Sequence, residues 1–210
     1  MKARDFDSII FDMDGTLWDA VDSYRQVWMQ TFEDLAINAA VSRQQLIECM
    51  GKTINEIFEI VIADKTIDRK KFLDRLAFNE MHMMPKLGGK LYPGVEKWIP
   101  ELAKEYRLFM VSNCGSDGLH NFLRYTRLNP YFTDTLTYCQ TGLQKEGNIN
   151  LLRRCHALSS PIYVGDTAGD CRSAHAAGIP IVFAEWGFGF PCDAEYRASS
   201  IEHLARFFLS

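Results

Sequence analysis

Short apolar runs alternate with helical patterns along most of this chain of 210 residues, and that alternation limits the folds open to it. Five runs are rich in β-branched and aromatic residues and are bounded by turn residues, as buried strands are; they are residues 8–12, 107–112, 135–139, 161–166 and 180–184. Between most of these runs, apolar residues recur at helical spacing, as Val95, Ile99 and Leu102 do. Strands that alternate with helices predict an α/β fold with a doubly wound parallel sheet.

The alternation stops directly after the first run. The long segment that follows has no strand pattern, and its apolar residues repeat at helical spacing instead. Two helix-start signals lie in it, each with a Ser or Thr that precedes a Gln or Glu by three residues: Ser42 with Gln45, and Thr53 with Glu56. The segment at residues 85–94 is typical of a linker. The sequence therefore predicts a discontinuous Rossmann-like core of residues 1–17 and 87–210, with an inserted helical cap domain of residues 18–86.

Composition and charge exclude several classes of protein. The formal net charge is −4 at pH 7 and the Lys and Arg residues are scattered, so we expect no nucleic acid partner. No segment approaches the ~18 apolar residues of a membrane span, and the first residues lack the apolar run of a signal peptide. We expect a cytoplasmic protein with no membrane partner, and the sequence does not indicate its oligomeric state.

The six cysteines show neither a Cys-x-x-Cys pair nor a regular spacing. We expect them to be free, mostly buried thiols in a reducing compartment rather than a disulfide framework. The five histidines show no spacing that is typical of metal ligands.

Polar side chains follow the predicted strands at the points where the strands end. In an open parallel sheet the carboxyl ends of the strands meet at one edge, where ligands bind. We therefore expect one crevice to contain four carboxylates, a hydroxyl, an amide and an ammonium group, contributed by Asp12, Asp14, Ser112, Asn113, Lys145, Asp166 and Asp170.

Carboxylates that crowd together raise one another's pKa, and a divalent cation relieves their repulsion. A site rich in carboxylate oxygens suits Mg²⁺, which also takes phosphate oxygens from a substrate. In such a site one aspartate can attack a phosphoryl group while its neighbour protonates the leaving oxygen. Ser112 and the backbone amides of its loop would bind phosphate oxygens, Lys145 would balance charge, and Gly15 would let the backbone approach the ligand.

Four motifs in this order resemble those of the haloacid dehalogenase-like hydrolase superfamily: "FDMDGTLWD", "VSN", the single Lys145 and "VGDTAGD". The helical insertion after the first motif is similar to that of phosphoglycolate phosphatase-like members. The resemblance implies that Asp12 is a nucleophile that becomes an aspartyl-phosphate, and that Asp14 is the general acid and base.

The resemblance also implies a Mg²⁺ site. Its ligands would be the Asp12 side chain, the Asp14 backbone carbonyl and Asp166, while Asp170 would orient a metal-bound water or Lys145. Substrate contacts are expected from residues within the first and second motifs and from the cap loop "MGKTINEIF": Gly15, Thr16, Asn113 and Lys52. Trp18 and Trp28 are interpreted as packing residues of the cap.

Two alternatives to a phosphatase of a small phosphorylated metabolite stay open at this stage. Asp14 is also typical of the superfamily's phosphomutases, although the first cap helix has Tyr24 and Arg25 where sugar phosphomutases have a His. A regulatory module that accepts a phosphoryl group is the second alternative, since receiver-type domains also gather aspartates, a hydroxyl and a lysine at a sheet edge. The substrate stays open among phosphoglycolate, a sugar phosphate, a nucleotide and pyrophosphate.

Overall fold

The computed structural model describes residues 5–115 and 117–210, and this part of the chain contains eight strands and ten α-helices. The strands are β1 (Ser8–Phe11), β2 (Trp18–Asp19), β3 (Lys90–Leu91), β4 (Arg107–Ser112), β5 (Asp134–Thr137), β6 (Pro161–Gly165), β7 (Ile181–Ala184) and β8 (Tyr196–Ala198). The helices are α1 (Val21–Asp34), α2 (Arg43–Glu48), α3 (Ile54–Val61), α4 (Arg69–Leu87), α5 (Val95–Glu105), α6 (Gly118–Thr126), α7 (Tyr138–Thr141), α8 (Lys145–Cys155), α9 (Ala168–Ala176) and α10 (Ile201–Leu209). None of these helices combines the length and the hydrophobicity that a bilayer span requires.

Six strands form one sheet in the order β5–β4–β1–β6–β7–β8, and every neighbouring pair is parallel. The predicted doubly wound α/β fold is confirmed. Two features of this six-stranded sheet differ from the prediction. β8 was not predicted, because only its last residue is buried and its three residues carry no apolar run. The predicted strand at 135–139 ends at Thr137, whose side chain caps α7 by accepting a hydrogen bond from the Gln140 backbone N–H.

Helices cover both faces of the sheet. In the central strand β1, Ile9 and Phe11 point into one apolar cluster, which the helices α5, α6 and α10 complete, whereas Ile10 points into a second cluster with α8 and α9. This alternation follows from the two-residue period of a strand. All three side chains have no exposed surface. The burial of each contributes about 1.5–3 kcal/mol to folding, so β1 is held firmly from both faces.

The helices α1–α4 lie between β2 and β3, which pair antiparallel through Trp18 with Leu91 and Asp19 with Lys90. The two chain segments that enter and leave the helical insertion therefore run side by side as a short ribbon. Both predicted capping boxes are present, at the starts of α2 and α3. Aromatic rings pack α1, α3 and α4 together, and they belong to Trp28, Phe32, Phe58 and Phe72.

Two details of the insertion correct the prediction. Its first residues form β2, although no strand was expected there, because a two-residue strand has no detectable period. Helix α4 continues through Pro85 to Leu87, where a linker was expected to have begun. The division into a core and a cap domain of residues 18–86 stays a prediction.

The cysteines also differ in part from the expectation of free, mostly buried thiols. Cys171, on α9, and Cys192 form a disulfide across 21 residues of sequence. That pairing depends on how the segment after β7 folds back, and the spacing of the cysteines does not indicate it. Cys49 is a buried free thiol, as expected, whereas the free thiol of Cys155 is exposed.

Candidate active site

The carboxyl ends of three neighbouring strands meet at one edge of the sheet, and the candidate site lies there. The chain runs from β1 into Asp12 and from β6 into Asp166, while β4 ends at Ser112. Because β1 pairs with both β4 and β6, these three side chains emerge next to one another. Lys145, the first residue of α8, completes the group. The sheet thus brings together residues that lie up to 154 positions apart in the sequence (12 to 166).

Lys145 connects two of the aspartates. Its Nζ donates to Oδ1 of Asp12 at 2.8 Å and to Oδ1 of Asp170 at 2.6 Å, and its side chain is only 3% exposed. Burial lowers the pKa of Lys145, but the charges of Asp12 and Asp170 outweigh burial and raise that pKa well above its usual value. Burial also raises the pKa of Asp12, to about 6, against the attraction of Lys145. Near neutral pH this pair is therefore a buried ammonium and carboxylate.

Asp166 is fully buried and held from two sides. Its Oδ1 accepts a hydrogen bond from the Thr16 hydroxyl at 3.2 Å, and its Oδ2 accepts one from the Phe188 backbone N–H at 2.8 Å. Burial, and then the charges of Asp170 and Asp12, raise the pKa of Asp166 well above its usual value. A carboxylate in this position requires a nearby positive charge to stay ionised.

Gly15 explains why Asp166 can come so close to the loop after β1. The backbone at Gly15 has φ of +85°, and a methyl group there would overlap the Asp166 carboxylate. Gly15 and Thr16 were predicted to contact substrate. In the structure both contact Asp166, so they position this carboxylate. Their contact with a substrate stays a prediction.

Three of the carboxylates form a candidate metal centre. One oxygen from each of Asp12, Asp166 and Asp170 lies within 4.8 Å of the others, and all three residues are buried. Hard oxygen donors of this kind suit Mg²⁺ or a similar divalent cation. Asp170 accepts the most hydrogen bonds of the three, from Lys145 at its Oδ1 and from the Thr167 hydroxyl and backbone N–H at its Oδ2.

Asp14 faces away from that centre and toward the helical insertion. Its Oδ1 accepts a hydrogen bond from Nε1 of Trp18 at 2.9 Å, and its Oδ2 accepts one from the Tyr24 hydroxyl at 3.4 Å. Burial, and then the charge of Asp12, raise the pKa of Asp14 to about 8. Two aspartates separated by one residue therefore differ in protonation near neutral pH.

The loop after β4 faces the same space. Ser112 is 4% exposed, and its hydroxyl accepts a hydrogen bond from the Cys114 backbone N–H at 3.3 Å. Nδ2 of Asn113 donates to the carbonyl oxygen of Gly51 at 2.9 Å, which ties this loop to the loop between α2 and α3. Lys52 follows Gly51, lines the same cavity as Ser112 and is exposed.

Several residues that shape the site were not predicted to do so. Trp18 was interpreted as packing, yet its indole N–H holds Asp14; its position four residues after Asp14 was the available signal. The segment at 185–190 has no recognised binding motif in its sequence, yet Nε1 of Trp186 donates to the Thr16 carbonyl and the Phe188 N–H donates to Asp166. Glu80 of α4 also lines the cavity, and no sequence motif marks it.

A doubly wound sheet whose strands end in paired aspartates, a serine and a third aspartate, with a buried lysine beside them, is typical of α/β enzymes that use a carboxylate as nucleophile. The family model described as haloacid dehalogenase-like hydrolase matches residues 9–184. The chain belongs to the haloacid dehalogenase-like hydrolase family. The predicted family membership is thereby confirmed.

Curated relatives agree with this assignment. The chain is 25% identical to a plasmid-encoded phosphoglycolate phosphatase of Cupriavidus necator, over 88% of this chain and 83% of that protein. It is 24% identical to a phosphoglycolate phosphatase of Aquifex aeolicus, over 86% and 85% of the two chains. A solved structure, a haloacid dehalogenase-like family hydrolase from Streptococcus pneumoniae, is similar in fold, with a TM-score of 0.82, 19% identity and coverage of 98% and 99%.

Proposed function

We propose that this chain is a Mg²⁺-dependent phosphatase that hydrolyses a small phosphorylated metabolite through an aspartyl-phosphate on Asp12. The observation that carries the proposal is the contrast between Asp12 and Asp14. Asp12 is paired with the buried ammonium of Lys145, whereas Asp14 has a pKa of about 8. Two carboxyl groups whose environments separate their pKa values are suited to act as nucleophile and acid.

In the first step, a carboxylate oxygen of Asp12 attacks the phosphorus atom and the bond from phosphorus to the ester oxygen breaks. Asp14 gives its proton to that oxygen, so the alcohol leaves neutral. Lys145 and the hydroxyl of Ser112 would stabilise the charge on the phosphoryl oxygens. The hydrogen bonds from Trp18 and Tyr24 hold Asp14 on the side where the alcohol leaves.

In the second step, a water molecule attacks the phosphorus atom of the aspartyl-phosphate, and the bond from phosphorus to the Asp12 oxygen breaks. Asp14, now ionised, takes a proton from that water. Inorganic phosphate leaves, Asp12 returns as a carboxylate and Asp14 as an acid. Each group is therefore restored for the next cycle.

The residues present fit a magnesium ion. Asp12 and Asp166 would hold it through their carboxylates and Asp14 through its backbone carbonyl, while Asp170 would orient Lys145. When bound, the ion would neutralise charge on the transferring phosphoryl group. The high pKa of Asp166 supports this proposal. It means that the ionised form is unfavourable in the protein alone, and an adjacent cation would stabilise that form.

The helical insertion supports a small substrate. The helices α1–α4 cover the Asp14 side of the site, and we propose that residues 18–86 act as a cap domain that closes over the leaving group. Lys52 would contact the substrate from the cap loop. The names of the curated relatives support a small phosphorylated substrate.

A direct test measures phosphate release from a panel of phosphomonoesters with and without Mg²⁺. We expect release from at least one alkyl phosphate and from para-nitrophenyl phosphate, with Mg²⁺ required in both cases. A protein that becomes stably phosphorylated on Asp12 without turnover would instead indicate a regulatory module. Transfer of the phosphoryl group to a second hydroxyl, with no free phosphate, would indicate a mutase.

The variant Asp14→Asn should separate the two chemical steps. A para-nitrophenolate leaves well as an anion, so Asp12 should still be phosphorylated, but the water attack lacks its base. We expect a burst of para-nitrophenol equal to the enzyme present, followed by turnover roughly 100-fold or more below wild type. In the wild type, kcat/KM for ethyl phosphate should fall as the pH rises through about 8, because only protonated Asp14 donates.

The matched control is Asp74→Asn, an exposed aspartate on α4 whose side chain is 64% accessible. It makes the same chemical change far from the strand ends and should leave both steps intact. If Asp14→Asn lost the same factor in turnover on the aryl and the alkyl phosphate, with no burst, the assignment of Asp14 as acid and base would be contradicted.

A further inference from the structure

A cavity of about 70 Å³ lies between the loop after β4 and the helical insertion. Its apolar wall comes from the insertion and includes Trp28, Leu46, Ile54 and Ile57. Its polar groups include Asp14, the proposed acid, so the alcohol part of a substrate would occupy this space. The groups that meet the alcohol part therefore determine which phosphate esters are accepted.

Glu80 of α4 is the least expected of these polar groups. Its carboxylate lies against the loop after β4, where a methyl group at position 115 would approach Oε2 of Glu80 to 2.8 Å. Within residues 5–115 and 117–210, no side chain or backbone group donates a hydrogen bond to it or forms an ion pair with it. Burial, and then the charge of Asp117, raise the pKa of Glu80 to about 7.

Asn113 also lines this cavity and has an acceptor without a donor. Its Nδ2 donates to the Gly51 carbonyl, and this bond fixes the orientation of the amide. The opposite atom, Oδ1, is buried, and no group in the described part of the chain donates to it. Buried polar atoms are nearly always hydrogen-bonded in native proteins. Glu80 is half-buried and lines the cavity without a donor among the described residues, so a ligand that carries a hydrogen-bond donor would satisfy it.

The charges around the cavity also bear on which substrates fit it. The described residues that line it include three carboxyl groups, of Asp12, Asp14 and Glu80, and one ammonium group, of Lys52. Lys52 is exposed, so water screens its charge, whereas Glu80 is half-buried where it lines the cavity. A carboxylate on the alcohol part of a substrate would therefore meet one exposed cation, against the Asp12 carboxylate and the partly ionised Glu80, so this cavity disfavours it.

We infer that Glu80 is a specificity-determining residue, which accepts a hydrogen bond from a hydroxyl or ammonium group on the alcohol part of the substrate. The substrate class is then a phosphate monoester with a second hydrogen-bond donor, and not a phosphorylated carboxylic acid. This inference rests on the proposed phosphatase function. It separates this chain from the activity for which its curated relatives are named.

Four substrates with a two-carbon alcohol part test the inference: ethylene glycol monophosphate, phosphoethanolamine, ethyl phosphate and phosphoglycolate. In the wild type, at least one of the two donor-bearing esters should have a kcat/KM about tenfold or more above both ethyl phosphate and phosphoglycolate. The advantage should come mainly from KM, because Glu80 contacts the substrate away from the reacting phosphorus atom.

Two variants assign the preference to Glu80. Glu80→Leu removes the acceptor, so the advantage of the donor-bearing esters over ethyl phosphate should shrink to about twofold. Glu80→Gln removes the charge and replaces one acceptor oxygen with an amide N–H donor, so phosphoglycolate should gain about tenfold relative to phosphoethanolamine. The matched control is Glu33→Gln, an exposed glutamate on α1, which should keep the wild-type ranking. Circular dichroism checks that each variant is folded.

The outcomes distinguish this inference from the proposed function. If neither para-nitrophenyl phosphate nor any alkyl phosphate is hydrolysed, the proposed function fails and the inference fails with it. If para-nitrophenyl phosphate is hydrolysed but phosphoglycolate is preferred, or the ranking is the same in all folded variants, only the inference is overturned.

Discussion

Replacement of Asp12 by asparagine should abolish turnover while the protein stays folded. The amide keeps the shape of the carboxylate but lacks the charge and the nucleophilic oxygen, so no aspartyl-phosphate can form. We expect kcat to fall by roughly 10⁴-fold or more, on the order of 5 kcal/mol of activation free energy. The measurement is phosphate release, together with a search for a hydroxylamine-sensitive phosphoryl group on the peptide that contains residue 12.

Folding of this variant can be expected for a specific reason. Nζ of Lys145 keeps its hydrogen bond to Asp170 at 2.6 Å, so its buried ammonium does not lose every carboxylate. The charge of Asp12 also adds to the high pKa of Asp166, and its removal relieves that repulsion. Asp74→Asn again serves as the exposed control. Activity within about tenfold of wild type, or a phosphorylated peptide from the Asp12→Asn protein, would show that another group is the nucleophile.

The fold could be predicted because its signals are local. The central strand β1 has apolar residues on both faces, and such a run occurs in a parallel sheet with helices on each side. The strands β2, β3 and β8 have two or three residues each, too few for a detectable period. They form because neighbouring segments pair with them, so their own two or three residues are not enough to predict them.

Some residues of the candidate site could likewise be predicted from the sequence, and others could not. Asp12, Ser112 and Asp166 come at strand ends, so the rule that parallel strands end at one edge brings them together before any coordinate is known. Trp18 and Phe188 contact the aspartates through an indole N–H and a backbone N–H. Such donors occur throughout any sequence, and only the folded chain selects the two that matter.

Glu80 is the clearest example of a cavity residue that the sequence alone does not predict. In sequence it is one glutamate in a helical segment rich in methionine, and such residues are usually exposed. It lines the cavity because α4 packs against α1 and passes the loop after β4, which lies more than 30 positions away in the sequence (80 to 115). The role in substrate selection that we propose for Glu80 therefore depends on tertiary contacts and not on a motif.

Metal removal should have the second large effect, and it should change stability as well as activity. Without a cation, three buried carboxyl groups with oxygens within 4.8 Å of one another share the single ammonium of Lys145. A cation that binds only the folded state stabilises it by about 2.7 kcal/mol at 100 times its Kd. For a chain of this size we expect Mg²⁺ to raise the unfolding midpoint by roughly 5–10 °C, and excess chelator to abolish phosphate release.

The variant Asp166→Asn makes this prediction specific to the site, because its effects on stability and on activity should have opposite signs. The amide removes a buried negative charge, so without metal the variant should be at least as stable as the wild type. It also removes a proposed ligand, so the Mg²⁺-dependent rise in the unfolding midpoint should disappear and activity at millimolar Mg²⁺ should fall roughly 100-fold or more. Asp74→Asn should behave as the wild type in both measurements. Full activity in excess chelator would show that the reaction needs no metal at these carboxylates. An unchanged Mg²⁺-dependent rise in the unfolding midpoint of Asp166→Asn would place the metal elsewhere, because a cation held by these carboxylates must bind more weakly when one of them is lost.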